Sequence, residues 1–196
     1  MKTSLNHIFY NLINYILRIL PFNFFIKILY KINDNTIILY IKKNNIKFLL
    51  NFLKNHYALQ FKTLISITAV DYPQKKKRFE INYFLLSYLL NIRIIVKIVT
   101  DDITPLDSIN LIYPSSSWYE REVWDLFGVF FSDHNDLRRI LTDYGFEGYP
   151  FRKDFPQSGF LEVRYDDEKK YVLYEPLEIS QEFRFFDFTT PWLNVK

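Results

Sequence analysis

The chain has 196 residues, of which 49% are hydrophobic and 19% aromatic. That suffices for one domain with a sizeable core, or one domain with a long arm, and is too apolar for disorder throughout. There is no cysteine, which excludes disulfides, thiolate-held zinc or Fe–S clusters and a cysteine nucleophile. The formal charge of +3 hides an asymmetry: residues 1–100 carry 15 Lys and Arg against 3 Asp and Glu, and residues 101–196 carry 10 against 19.

In chain order, the first element is the apolar stretch "HIFYNLINYILRILPFNFFIKILYKI". Asn11, Asn14, Arg18 and Asn23 interrupt it and Pro21 splits it, so it is a poor membrane span, which wants roughly 20 apolar residues in a row. No small-residue cleavage site follows, as a secretory signal requires. It reads as a helix from about Leu5 to Leu20, inside an N-terminal apolar helical segment of residues 1–32. "TIILYI" at 36–41 reads as a strand. Ile46, Leu49, Leu50 and Leu53 then recur at helical spacing, which predicts an amphipathic helix. "QFKTLISITAVDYP" reads as a strand ended by Asp71 and Pro73. "QKKKR" at 74–78 is a hairpin tip, with no interleaved aromatic residue to suggest a nucleic-acid patch. "FEINYFLLSYLL" and "NIRIIVKIVT" are two further strands joined near Asn91. Strand, helix, then three strands in a meander make a small sandwich with one helical layer.

After a linker with Pro105 and Pro114, Ser117-Trp118-Tyr119-Glu120 has capping-box spacing and opens a helix. Arg121 and Asp125 sit four apart on its expected surface. Val123, Leu126 and Phe127 form an apolar face, and Gly128 ends the helix as a C′ glycine. Beyond Gly128 the periodicity fades. The three remaining glycines (Gly145, Gly148 and Gly159) lie there among scattered aromatics and mixed charges. So long a run is unusual inside a compact domain, yet too aromatic for a free tail. It reads as an extended arm that buries its aromatics on another protein. The expected fold is therefore α+β: a small antiparallel or mixed sheet packed on helices over residues 33–130, then a long extended C-terminal arm over 131–196 that docks on a partner.

Chemistry is sparse. Glu120, Glu122 and Asp125 could pair for acid–base work, but three acids on one capped helix serve its N-terminal dipole and surface more readily. Asp133, His134 and Asp136 lack a spacing that aims them at one metal. Asp166, Asp167 and Glu168 read as a charged turn, without the glycine and distal Glu of an EF-hand. No G-x-G-x-x-G, P-loop lysine, G-x-S-x-G or HExxH occurs. Two rivals to a docking protein are a basic module for nucleic acid or anionic membrane in residues 1–100, which the acidic half opposes, and a hydrolase on the three acids, which lacks a convergent polar pocket.

"ERE" at 120–122, Asp125, "LFG" at 126–128, His134 and "RRIL" at 138–141 resemble the signature of the 30-kDa subunit family of respiratory complex I, whose mitochondrially encoded type is NADH dehydrogenase subunit nine. The likeness runs on through "LTDYGFEGYPFRKDFPQSGF", "EVRYDDEKKYVLYEP" and "QEFRFFDFTTPW", covering roughly residues 108–192. It implies a hydrophilic subunit in the quinone-reducing module of NADH:ubiquinone oxidoreductase. That module lies in the matrix arm, at the mitochondrial inner membrane. The subunit would lie against the 49-kDa subunit and neighbouring matrix-arm subunits, in a hetero-oligomer associated with the membrane only through the complex and without nucleic acid. The resemblance implies no catalytic residue and no cofactor of its own, with NADH, FMN, Fe–S clusters and ubiquinone held by other subunits. Its implied interface residues are Glu120, Arg121, Glu122, Asp125, His134, Arg138, Arg139, Arg152, Lys153, Arg164 and Arg184. Three positions depart from the family pattern: Tyr149 replaces His, Asn135 replaces Pro and Gln157 replaces an apolar residue.

Overall fold

The structure is a computed structural model that describes residues 14–16, 18–20, 25–31, 36–178 and 184–186. The chain divides into two compact units, Met1–Lys153 and Asp154–Lys196.

The first unit is built on a five-stranded mixed sheet. Its strands are β1 (Phe25–Lys31), β2 (Thr36–Ile41), β3 (Thr63–Asp71), β4 (Phe79–Ser87) and β5 (Ile92–Thr100), in the order β1-β2-β5-β4-β3. All neighbours are antiparallel except β2 and β5, which run parallel. Register explains why the sheet has one dry face. Leu39, Val96, Tyr83 and Ile67 pair in a single row across four strands, and Ile37, Ile94, Leu85 and Leu64 make the next row. All eight are buried, as the period-2 alternation of strands requires.

Helix α1 (Ile46–Asn55) covers that face. Ile46, Leu49, Leu50 and Leu53 are fully buried, as their spacing predicts. Helix α2 (Ser116–Phe127) packs beside β3, where the Tyr119 hydroxyl donates to the Ile65 carbonyl at 2.9 Å. Val123, Leu126 and Phe127 turn into or against the core. Gly128 ends α2 in the left-handed region at φ 75°, its N–H on the Trp124 carbonyl. A short parallel pair, β6 (Leu106–Asp107) and β7 (Phe131–Ser132), ties the linker before α2 to the segment after it.

Three differences from the sequence reading have physical causes. Residues 25–31 fall within the segment read as helical, yet they form edge strand β1. Its Ile and Leu residues suit either period, and pairing with β2 decides the outcome. The meander of β3, β4 and β5 is present, but β5 also pairs with β2, so α1 is part of the crossover that leads from β2 to the rest of the sheet. The capping box is replaced. Ser115 occupies the N-cap without a side-chain hydrogen bond, and Glu120 is turned inward. The helix expected over Leu5–Leu20 lies largely outside the described residues. Its residues 14–16 and 18–19 are helical, with Ile16 and Leu20 buried.

The second unit contains a hairpin, β8 (Leu161–Asp166) and β9 (Tyr171–Pro176). The Asp166 carboxylate holds its turn by accepting from the Glu168 amide at 2.9 Å and the Lys169 amide at 3.3 Å. The expected arm is therefore not wholly irregular.

Truncating the α1 face tests this core. Leu50→Ala is expected to cost about 2–5 kcal/mol, because a fully buried leucine leaves a cavity; a urea midpoint unchanged from wild type would refute the packing.

Candidate partner-docking site

The residues of the sequence signature start on α2. Asp125 has a fully buried side chain, and it gathers five donors. Thr142 Oγ1 lies 2.5 Å from Oδ1 and Arg139 Nη1 3.2 Å from it. The amides of Ile140, Leu141 and Thr142 donate to Oδ2 at 3.3, 2.7 and 2.9 Å. Burial pushes the carboxyl up, but the Thr142 hydroxyl and the three amides outweigh it and leave the pKa below the ordinary value. Arg139 continues outward from Asp125 and donates Nη2 to the Gly148 carbonyl at 2.9 Å.

Glu120 is also buried, with the opposite balance. It accepts from Ser108 Oγ at 2.6 Å and the Ile109 amide at 2.8 Å. Burial raises its pKa, and these hydrogen bonds offset only part of the shift. His134 Nε2 stands 3.8 Å from the Glu120 carboxylate and 3.2 Å from the Ser117 carbonyl. The Asp136 amide lies 3.1 Å from Nδ1. An amide donates, so Nδ1 accepts, and the ring proton lies on Nε2, aimed at Ser117. His134 therefore pins the loop after β7 to the first turn of α2.

Arg121 bonds two backbone carbonyls, those of Arg138 at 3.0 Å and Arg139 at 3.4 Å, and lies 5.3 Å from the Trp118 ring. At the other end of α2, Arg152 Nε donates to the Phe127 carbonyl at 2.7 Å and the Phe151 amide to Leu126 at 3.0 Å. This satisfies helix carbonyls and sets a cation at the negative end of the dipole. Tyr149 lies between Arg139 at 5.1 Å and Arg152 at 4.6 Å, so two guanidiniums face an uncharged ring. A protonated histidine there would be repelled by both.

The signature residues thus divide. Glu120, Arg121, Asp125, His134, Arg139 and Arg152 are occupied within the first unit. This corrects the expectation that Glu120 and Asp125 serve a helix surface, and that Arg121 pairs with Asp125. Arg138 is exposed and pairs only with Asp136 at 2.9 Å among the described residues. Glu122 is half-exposed. Lys153 is exposed, while its amide donates to Asp71 Oδ2 at 2.8 Å. In the second unit, Arg164 forms an exposed pair with Glu175 at 2.7 Å, and Arg184 donates to Gln157 at 2.9 Å. Among the described residues no group of three or more His, Cys, Asp or Glu could hold a metal.

The residues the sequence reading missed lie on the hairpin. Leu161 faces Pro176, Val163 faces Tyr174, and Tyr165 faces Val172. All six are exposed. The opposite face carries Glu162 against Glu175 and Arg164 against Leu173. One hairpin face is thus apolar and exposed. The alternation in "LEVRYD" was the available signal.

Residues 39–161 match the family described as respiratory-chain NADH dehydrogenase, 30 Kd subunit. NADH-ubiquinone oxidoreductase subunit 9 of Reclinomonas americana is 56% identical over 158 residues, which are 81% of this chain and 78% of that one. The protein of the same description from Prototheca wickerhamii is 56% identical over 156 residues, 80% of this chain and 81% of that one. NADH dehydrogenase (ubiquinone) iron-sulfur protein 3 of Beta trigyna is 58% identical, over 74% and 75%. A solved chain from the membrane-bound sulfane sulfur reductase, an archaeal respiratory membrane complex, superposes with TM-score 0.65 at 26% identity, over 84% of this chain and 98% of that one. The chain belongs to the 30-kDa subunit family of respiratory-chain NADH dehydrogenase, and is a subunit of complex I.

Two measurements test the internal staples. Asp125→Ala should lower stability by about 3 kcal/mol at neutral pH, since it leaves buried donors unpaired. The folded pKa of Asp125 is lowered, so its contribution is present above the ordinary carboxylate pKa and is lost as pH falls through the folded value. Wild-type and variant urea midpoints should therefore converge in strong acid; a constant gap would contradict the assignment. Gly128→Ala should cost more than Gly145→Ala. Both have φ above +70°, worth about 1–2 kcal/mol of strain, but the new Cβ at 128 would meet the Tyr149 ring at 2.6 Å while that at 145 meets nothing. Equal thermal shifts in the two variants would exclude a tight Tyr149 contact.

Proposed function

We propose that this subunit is non-catalytic and serves assembly in the quinone-reducing module of the matrix arm. It would dock on the 49-kDa subunit and its neighbours, at the matrix side of the mitochondrial inner membrane. The observation that carries the reading is the open apolar face of the β8–β9 hairpin. An isolated two-stranded hairpin is marginally stable in water. A face of Leu161, Val163, Tyr165, Val172, Tyr174 and Pro176 gains most by being covered. Arg138, Arg164 and Arg184 are exposed and able to exchange their present partners for carboxylates of a neighbour, where a guanidinium fork suits two oxygens.

The chemistry of the chain agrees. One relative is named an iron-sulfur protein, but this chain has no cysteine, so thiolate ligation of a cluster by it is excluded. The buried acids Glu120 and Asp125 have their hydrogen-bonding capacity engaged by Ser108, Ile109, Arg139 and residues 140–142. Acids so employed hold structure rather than move a substrate proton. NADH, FMN, Fe–S clusters and ubiquinone would thus belong to other subunits. No helix among the described residues is long and apolar enough to cross a membrane, and on this reading attachment would come through the complex.

A tagged chain from mildly solubilised native membranes should migrate on a native gel with a very large NADH-oxidising particle. The double variant V163D/Y174D puts two carboxylates on the apolar face, each costing about 2 kcal/mol or more if desolvated there unpaired. It should be depleted from the particle at least tenfold while the first unit still folds. Full incorporation of the variant would remove the hairpin from the interface.

A further inference from the structure

We propose that the tip between β3 and β4, together with Lys153, is a second docking surface, shaped for an acidic segment of a neighbouring polypeptide. It rests on the reading that the chain works inside a multi-subunit particle. In sequence the tip is a plain basic run, Lys75-Lys76-Lys77-Arg78, with Lys153 more than 70 positions away. The fold brings them together. Arg78 grips the buried Asp71 with Nε at 2.6 Å and Nη2 at 2.7 Å. The Lys153 amide donates to that same carboxylate. Asp71 therefore fixes the end of β3, the start of β4 and residue 153 at one point.

The second acid nearby, Asp102, lies 3.9 Å from Arg78 and 3.5 Å from Arg152. Both carboxylates are thus engaged by arginines. Lys75, Lys76, Lys77 and Lys153 are all exposed, and among the described residues none has a carboxylate within ion-pair reach. Two of these ammonium groups converge on one aromatic ring: Lys75 Nζ is 3.8 Å and Lys153 Nζ 5.7 Å from the centre of Tyr72. The quadrupole of the ring holds them together against their mutual repulsion. What remains is a compact, uncompensated cationic surface on a rigid bidentate anchor.

The surroundings decide the class of ligand. Residues 73–77 are Pro-Gln-Lys-Lys-Lys, with no large apolar side chain to insert between lipids. Lys75 occupies one face of the Tyr72 ring, and residues 73–77 add no second aromatic on which successive bases could stack. An extended polypeptide carrying Asp and Glu supplies the charge without either requirement, and the surface would steer its approach and fix its register.

The test places a photo-crosslinking p-benzoylphenylalanine at the exposed Gln74 of the full chain, in the purified native particle. The crosslink is expected in a segment of another subunit that is rich in Asp and Glu. K75E/K76E/K77E should cut the yield roughly tenfold, K75Q/K76Q/K77Q by less, and lysines placed in the crosslinked segment should restore yield to the triple-Glu chain. A crosslink in a neutral or basic segment overturns the proposal, as does a yield indifferent to charge reversal. So does charge-dependent binding of the purified chain to phosphatidylglycerol–phosphatidylcholine vesicles with no protein crosslink. If even the wild-type chain is absent from the particle, the complex-bound reading fails first and takes this proposal with it.

Discussion

The buried carboxylate of Asp125 is the point on which the region after α2 depends. A carboxylate without water must find donors close by, and here they are three successive amides, a hydroxyl and a guanidinium. The amides of residues 140–142 belong to no ladder or helix. Their needs and the carboxylate's are met by one another. A charge-assisted hydrogen bond is worth roughly 1.5–3 kcal/mol. A cluster of them can hold a loop that has almost no regular backbone pairing. The arginines extend the same logic. Arg139 reaches Gly148, Arg121 reaches the carbonyls of 138 and 139, and Arg152 reaches the end of α2. Side chains thus do for residues 138–152 what backbone ladders do for the sheet.

Glu120, one and a half turns earlier, shows that position on a helix does not decide the role of an acid. Its raised pKa means that its ionised form is disfavoured by burial relative to the unfolded chain. Its contribution to stability is present below the ordinary carboxylate pKa and is lost as pH rises through the folded value, the reverse of Asp125. It is held in place because Ser108 and Ile109, beside β6, direct a hydroxyl and an amide at it. Without it, those buried donors would be unpaired. The two acids therefore stitch α2 to different segments: Glu120 to the chain that enters the helix, Asp125 to the chain that leaves it.

The sheet core was legible because its causes are local. Ile46, Leu49, Leu50 and Leu53 announce α1, and alternating Ile, Val and Leu announce β4 and β5. Edge strand β1 was not legible, since "FIKILYK" suits either period and only the bare edge of β2 settles it. The parallel join of β2 to β5 is a tertiary choice that no window of sequence records. Gly128 was readable as a helix stop, but the second constraint on it, the Tyr149 ring where a Cβ would stand, comes from a residue 21 positions later. The signature acids and arginines were visible as a group. That six members of the group are engaged within the first unit was not, because mixed charges look alike whether they pair within a chain or across an interface. Lys153 shows the same limit from the other side: its neighbours Lys75 and Tyr72 are set by Asp71, not by sequence distance.

The hairpin differs from everything in the first unit in how its stability must arise. Its polar face has the exposed pair Arg164 and Glu175, and solvent screening leaves such pairs contributing little. Its turn is set by Asp166 and by Lys170 at φ 60°, a mildly strained conformation for a non-glycine residue. Its Leu161, Val163, Tyr165 and Val172 side chains are exposed. None of these terms offsets the entropy of ordering twelve strand residues, at roughly 1 kcal/mol or more each. What can is burial of the Val163, Tyr165, Val172 and Tyr174 face, at about 25 cal/mol per Å² of apolar area. On the proposed docking, order in this segment and attachment to a partner would be one equilibrium rather than two. A subunit docked as proposed would have a self-sufficient core and an attachment element fully stable only once attached, so loss of the partner would unfold the hairpin while leaving the sheet and its Asp125 cluster intact.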